Sequence, residues 1–497
     1  MDTMDASTAI RRLRRAVSER AAVDARALAA FRIALGTLLV VDLFLRARDL
    51  TAFYTDRGVL SREFLFEVTG PYWLSLHVVS GAATVQALLF ALAAVVALAL
   101  AVGYRTRTAT VVSWVLLVSL QHRNPVILNG GDTLLRMVLF WSMFVPLGSR
   151  WSVDALRREG TTERVASVAT AALLLQVVTM YFANGLLKLG GDLWLSGVAI
   201  RYVFSLDQFT VLLGNYLGAY PLVLTVFAEL WLVMVVCSPL LVVLTGKYRG
   251  LFALSFVGGH LGMFLTMQLG IFPFVAIGAL FLFFPASFWD AATAAAPPSL
   301  SDGARRLLVR LDASLPERSV REPPWLASVR NRGVPALVVA LGLLVLLVNA
   351  AALGSVVSVP EEADPVVTSA GLDQRWNMFA PEPLQVDGWY VAPATLENGS
   401  TVDAIHGGPV TWERPPDLAA TYPNARWRKY QVNLWRQNYA GHRDEFAQYL
   451  CDRWNRDHEV EMERVELYYM EEETVLDGPE TAERDKLRYH RCSRLSS

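Results

Sequence analysis

Residues 165–188 read VASVATAALLLQVVTMYFANGLLK. Twenty-three positions pass without a charge before Lys188 ends the run. The hydrocarbon core of a bilayer, about 30 Å thick, is crossed by about 20 helical residues. This stretch is therefore long enough to span a membrane and too apolar to lie on a water-facing surface. Its interior still holds Asn184, a polar group that is costly at membrane depth and needs a reason there.

Outward from this helix the same pattern recurs. Candidate spans are Ala27–Leu45, Ala82–Val102, Thr108–Leu120, Leu134–Leu147, Val165–Leu187, Pro221–Thr245, Leu251–Thr266, Leu269–Pro285 and Pro335–Leu353. The third and fourth are short enough to form a re-entrant pair. The chain has 497 residues, 54% hydrophobic and 18% charged, with the charges between the apolar blocks. The expected architecture is an α-helical polytopic membrane protein of about 8–9 spans, with the lipid bilayer as its first partner. The net charge of −1 gives no argument for nucleic acid. Arg46 and Arg48 follow the first span where a signal peptide would carry a small-residue cleavage site, so that span reads as retained.

Basic residues orient the chain. With the N-terminus in the cytoplasm, segments 1–26, 103–107, 148–164, 246–250 and 286–334 hold 21 Lys and Arg. The opposite loops 46–81, 121–133, 188–220 and 267–268 hold 7. This bias predicts a cytoplasmic basic N-terminus over 1–26, helical membrane domain over 27–285, cytoplasmic linker over 286–334 and last span over 335–353. Residues 354–497 then form an extracytoplasmic α+β domain in the multi-pass cell (plasma) membrane. In that tail, Val386–Ala394 and Ser400–Ile405 flank Glu397-Asn398-Gly399, a hairpin signal. Val465, Leu467 and Tyr469 alternate as in a strand, and Phe446–Trp454 has helical spacing. Six tryptophans (Trp376, Trp389, Trp412, Trp427, Trp435, Trp454) suit a small core or the membrane interface. The charged run 471–491 reads as a mobile end. Cys451 and Cys492 are free to pair in an oxidising compartment, though no spacing rule requires it.

Lys188 ends its span beside Trp194 and shares a helix face with Asn184, four residues earlier. Such a lysine either snorkels to the interface or is buried and neutral, a base. His260, among Gly258, Gly259 and Gly262, is a packing residue or stands where glycines admit a flat ligand. The loop from His122-Arg123-Asn124-Pro125 to Asn129-Gly130-Gly131-Asp132 is a further candidate, with Asp132 and Arg136 spaced for an ion pair. Arg32 and Asp42 read as structural. No His/Cys/Asp cluster has metal spacing, and no phosphate loop or Ser-His-Asp set is visible.

Several of these segments resemble the vitamin K-dependent γ-carboxylase-like, or HTTM domain, family. The first-span match is Phe31-Arg32 with Gly36 and Asp42; the fourth runs from Asn129 to Trp151-Ser152-Val153-Asp154. Tyr181-Phe182 with Gly185 and Lys188-Leu189 is similar to the lysine-bearing helix. His260 with Leu269-Gly270-Ile271-Phe272-Pro273-Phe274 is similar to the histidine helix. The tail, through Trp376-Asn377-Met378-Phe379-Ala380-Pro381 and Arg426-Trp427-Arg428-Lys429-Tyr430, is similar to tails of microbial members.

The resemblance implies a reduced quinone (a vitamin K hydroquinone or menaquinol), O2 and CO2 as cofactors. The matched Lys188 deprotonates the quinol, oxygenation generates a stronger base, that base removes a glutamate γ-proton, and CO2 adds to the carbanion. A phenolic proton is within reach of a neutral lysine; a carbon-bound one is not, which is why the site should be dry. Lys188 and His260 are the implied catalytic residues, with Asn184, Asn129, Asp132 and Trp194 around the quinone. In the carboxylase a histidine follows tandem asparagines; here Gly131 follows Asn129-Gly130, with Asp132 the nearest polar group. The implied substrate is an exported peptide or protein. The alternatives are a non-catalytic scaffold with a peptide-binding outer domain, and a transporter, which lacks support because no repeated halves are visible.

Overall fold

A computed structural model describes residues 2–70, 75–160, 162–316, 333–354, 359–476 and 478–492. Four helices are long and apolar enough to cross a membrane: Ala25–Ala47, Ala83–Val102, Val168–Lys188 and Val334–Ala352. The Val168–Lys188 helix is 61% buried along its apolar window, against 22% for the second and fourth, so it is central and they are peripheral. The first two pack closely: a Cβ on Gly36 would lie 2.7 Å from that of Ala101.

The remaining candidate spans take other forms, each for a local reason. Residues 108–120 lie inside a helix over Thr106–Arg123, while 134–147 shrink to a helix over Gly130–Ser142. Pro221–Thr245 divides into Pro221–Val236 and Leu240–Val243, because Pro239 removes a helical donor at the break. Leu251–Thr266 forms with an extra turn, as Gly246–Thr266. The stretch before Pro285 turns by 110° into Ala286–Ala295, with Phe284 held extended ahead of the proline. Residues 164–166 are not helical. They form strand β2 (Arg164–Ala166) against β1 (Ala22–Asp24), and Ser167 then caps the lysine helix by accepting from the Thr170 N–H. Within the expected linker 286–334, Ala286–Ala295 and Pro298–Ser314 are helices, and residues 317–332 lie outside those described.

The tail contains a five-stranded antiparallel sheet. Its strands are β3 (Val386–Val391), β4 (Pro393–Leu396), β5 (Thr401–Asp403), β6 (Met462–Glu473) and β7 (Ala482–Arg491). β4 and β5 form the expected hairpin, with Gly399 at φ +81° in its turn. β6 is the spine: β3 and β4 pair with successive halves of one edge, and β7 runs along the other. The charged run 471–491 is therefore largely strand rather than a loose end, and Cys451 and Cys492 form a disulfide that ties it to helix His442–Asp457. Trp376, Trp389 and Trp427 are buried, consistent with core-filling roles.

Asp387, on β3, docks the tail onto the membrane domain by accepting hydrogen bonds from the backbone N–H groups of Asp207 (2.7 Å) and Gln208 (3.3 Å). Burial pushes its carboxyl up to about 7, against those two hydrogen bonds. An unfolded aspartate loses its proton near 3.9, so between about pH 4 and about pH 7 the folded chain holds the extra proton. Stability from this group is complete below pH 4 and is lost as pH rises through 7. Thermal unfolding of the full chain against Asp387→Asn is expected to show this: the wild type loses melting temperature relative to the variant across that window. Parallel pH profiles would contradict it.

Candidate functional site

One face of the central helix carries Gln176, Tyr181, Asn184 and Lys188, all buried. Their spacing of three to five residues stacks them toward the helix end. Against this face lies the tail segment Gln374–Pro381, bonded through every polar position except Tyr181. Gln176 Nε2 donates to Gln374 Oε1 at 2.7 Å. Asn184 Nδ2 donates to the carbonyls of Trp376 (2.7 Å) and Met378 (3.0 Å). Lys188 Nζ donates to the carbonyls of Met378 (2.9 Å) and Phe379 (3.1 Å). Trp194 completes the enclosure: its Nε1 donates to the Phe379 carbonyl at 2.8 Å, and its ring lies 3.7 Å below the amine.

Lys188 is 2% exposed, so it does not snorkel into solvent. Burial was expected of a base, but the surroundings are not a bare apolar pocket. Two carbonyls and an indole face surround the amine, and all three accept N–H. Phe379 supports this arrangement from a left-handed backbone conformation, φ +52°. That conformation costs about 1–2 kcal/mol in a non-glycine residue, and the hydrogen bonds on its carbonyl offset the cost. On the far side of the strap, Trp376 Nε1 donates to Asn349 Oδ1 of the last span at 3.0 Å. The segment is thus gripped between two membrane helices.

The other sequence-derived candidates divide between this site and two neighbouring ones. His260, on helix Gly246–Thr266, is buried against Tyr181, its Nε2 2.7 Å from the Tyr181 hydroxyl and its ring 5.4 Å from that of Phe272. Its Nδ1 has no hydrogen-bond partner among the described residues. Asn129 caps helix Gly130–Ser142, accepting from the Gly131 N–H at 2.8 Å. It adjoins the strap through Gly130, where an added Cβ would strike Met378 Sδ at 2.4 Å. Asp132 completes the capping box by accepting from the Asn129 N–H at 2.9 Å.

Asp132 also belongs to a buried ionic quartet. Arg46 bridges Asp42 (2.7 Å), Asp132 (2.5 Å) and the Tyr54 hydroxyl (2.7 Å). Arg426 from the tail bonds Asp42 (2.6 Å) and both oxygens of Asp132 (3.1 and 3.2 Å). Two carboxylates thus face two guanidinium groups, and the Asp132–Arg136 pair expected from spacing does not form. Arg136 instead donates to Gln121 Oε1 at 2.7 Å and the Asp373 carbonyl at 3.1 Å. Arg32 ties the first span to the carbonyls of Arg150 (3.1 Å) and Trp151 (2.6 Å), a structural role as expected.

Sequence reasoning missed the strap, Gln176, Tyr181 as the partner of His260, and Arg426. The motif Trp376–Pro381 was visible, but its partner was not, because the bonds join residues about 190 positions apart. The HTTM domain model matches residues 21–289, more than half of the chain. No curated protein and no solved structure matches.

Proposed function

The chain belongs to the HTTM domain family, and from that membership we propose a membrane enzyme related to γ-glutamyl carboxylases, using a reduced quinone, O2 and CO2 to modify an exported peptide. The observation that carries this reading is Lys188, a single amine walled off from water at the end of the central helix. When bound, the quinol supplies through its oxygenation the strong base that a carbon-bound proton requires. The residues suit such a ring: Lys188 Nζ, Asn184 Nδ2 and Trp194 Nε1 are donors already converging on oxygen atoms. His260 Nδ1 is a buried polar atom still without a partner among the described residues.

In this reading Lys188 would take the phenolic proton of a bound quinol, with Trp194, which shares the Phe379 carbonyl with it, and Asn184, which shares the Met378 carbonyl, as the orienting donors. The strap must lift first, since every neighbour of the amine is now an acceptor. Asn129 lies beside the strap and Asp132 holds the adjacent helix end, which gives them positioning roles. The same geometry favours a second reading, in which Lys188 merely anchors the tail and the helices are a scaffold for it. Purified protein given menaquinol, O2 and labelled bicarbonate is expected to form quinone epoxide. Absence of epoxide would leave the scaffold.

The finer topology is proposed with it: nine crossings of the plasma membrane, N-terminus in the cytoplasm, tail and Lys188 on the outer side. Threefold more Lys and Arg on the cytoplasmic loops supports this, as does a disulfide in the tail, which an oxidising compartment would preserve. With Cys237→Ser as background, Asn398→Cys is expected to react with an impermeant thiol reagent in intact cells, and Lys247→Cys only after permeabilisation. Reversed labelling would invert the orientation.

A further inference from the structure

A cavity of about 460 Å³ lies between the end of the first span and the tail domain. That volume is within the range of small-molecule sites. Its floor on one side is Ala47–Ala52; the opposite wall carries Trp427, Phe446, Tyr449 and Arg453. Arg48 is part of the lining and is exposed.

The position of Arg48 fixes what the cavity faces. Ile33, Thr37, Val41 and Phe44 recur at three- and four-residue spacing, and all are exposed. On a helix that crosses a membrane, that stripe is the lipid-facing side. Arg48 is the next residue along it, exposed, and its side chain has no hydrogen bond or ion pair among the described residues. A long cationic side chain at the end of a lipid-facing stripe sits at headgroup level.

The charge inside the cavity has a definite sign. Asp49 is the carboxylate in the lining, and both its oxygens are engaged, by Trp427 Nε1 at 3.0 Å and Asn424 Nδ2 at 2.8 Å. Arg453 is fixed through Nη2 to the carbonyls of Ala404 (2.6 Å) and Ile405 (3.2 Å) and lies near the Tyr449 ring. A spent carboxylate, two guanidinium groups and aromatic walls suit an anion with an apolar extension.

We infer that this cavity binds the phosphate headgroup of an anionic membrane phospholipid, clamped between Arg48 and Arg453. Such a lipid seats the tail domain on the bilayer, independently of any chemistry at Lys188. The full-length protein in neutral detergent is titrated with phosphatidylglycerol, phosphatidylcholine and inorganic phosphate, with binding read by native mass spectrometry and calorimetry. Phosphatidylglycerol is expected to saturate one site and to bind about tenfold tighter than either alternative. Arg48→Gln is expected to weaken it about fivefold, and a double variant with Arg453→Gln about 25-fold, at about 1 kcal/mol per basic residue. Since the Arg48 side chain is exposed and has no hydrogen bond or ion pair among the described residues, its replacement by glutamine is expected to leave the fold intact. Unchanged binding in Arg48→Gln, or equal binding of the two lipids, overturns the inference. Equal binding of inorganic phosphate also overturns it, making this a soluble-anion site. So does competitive displacement of the lipid by an acidic peptide, which marks a peptide groove.

Discussion

Lys188→Ala is expected to abolish quinone epoxide formation while leaving a folded, monodisperse protein. A positioned base contributes about 10²–10⁴-fold to rate, so a fall of at least about 100-fold is the result consistent with catalysis. Structure alone predicts a different pattern. The lysine donates to two strap carbonyls, and alanine would leave both buried and short of one partner. Each carbonyl retains another donor, Asn184 for Met378 and Trp194 for Phe379, so the strap should stay seated at a cost of about 1–3 kcal/mol. Stability and turnover therefore move by very different factors if Lys188 is the base. Restoration of epoxide formation by a small exogenous amine would separate the two further, because such an amine replaces the base without rebuilding the side chain. An alanine variant that turns over normally would reduce the lysine to an anchor.

Features of this chain set by neighbouring residues are legible in its sequence, and those set by distant ones are not. The spans around Ala27–Leu45, Ala82–Val102, Val165–Leu187 and Pro335–Leu353 were legible because length and unbroken apolarity are local properties, and the structure returns each within three residues. The break at Pro239 was equally local, yet apolar character on both sides of it masked the missing donor. The run 471–491 misled for a related reason. As β7 it exposes nearly every side chain, so its composition is that of solvent-facing chain, while backbone pairing with β6 and the Cys451–Cys492 bond hold it in place. The site itself was only half legible. Burial of Lys188 and its shared face with Asn184 follow from helical spacing; the carbonyls that occupy both come from 190 residues downstream, and no periodic rule reaches that far. Asp132 shows the same limit most clearly. A four-residue rule assigned it Arg136, whereas its tail partner, Arg426, is 294 positions away.

Asp132→Ala is expected to produce the largest loss of stability of any single change in the membrane domain. Asp132 accepts from Arg46 and Arg426 together and caps the helix Gly130–Ser142 through the Asn129 N–H. Its side chain is 1% exposed, and that of Arg46 is fully buried. Removing it leaves two guanidinium groups facing one carboxylate, Asp42, in a largely buried setting. Breaking a buried pair from one side costs about 3–5 kcal/mol, and loss of the cap adds about 1 kcal/mol. Most of the penalty is thus uncompensated charge rather than a missing contact. A second change tests that distinction: Arg426→Met in the Asp132→Ala background makes the cluster neutral again and should recover part of the loss. Arg426 lies on the tail helix Ala425–Trp435, so Asp132→Ala alone should also loosen the tail and speed its release by limited proteolysis. Denaturant or thermal unfolding of the single and double variants gives the coupling energy directly. Additive losses would mean that the two residues act separately and that the quartet does not behave as one electrostatic unit.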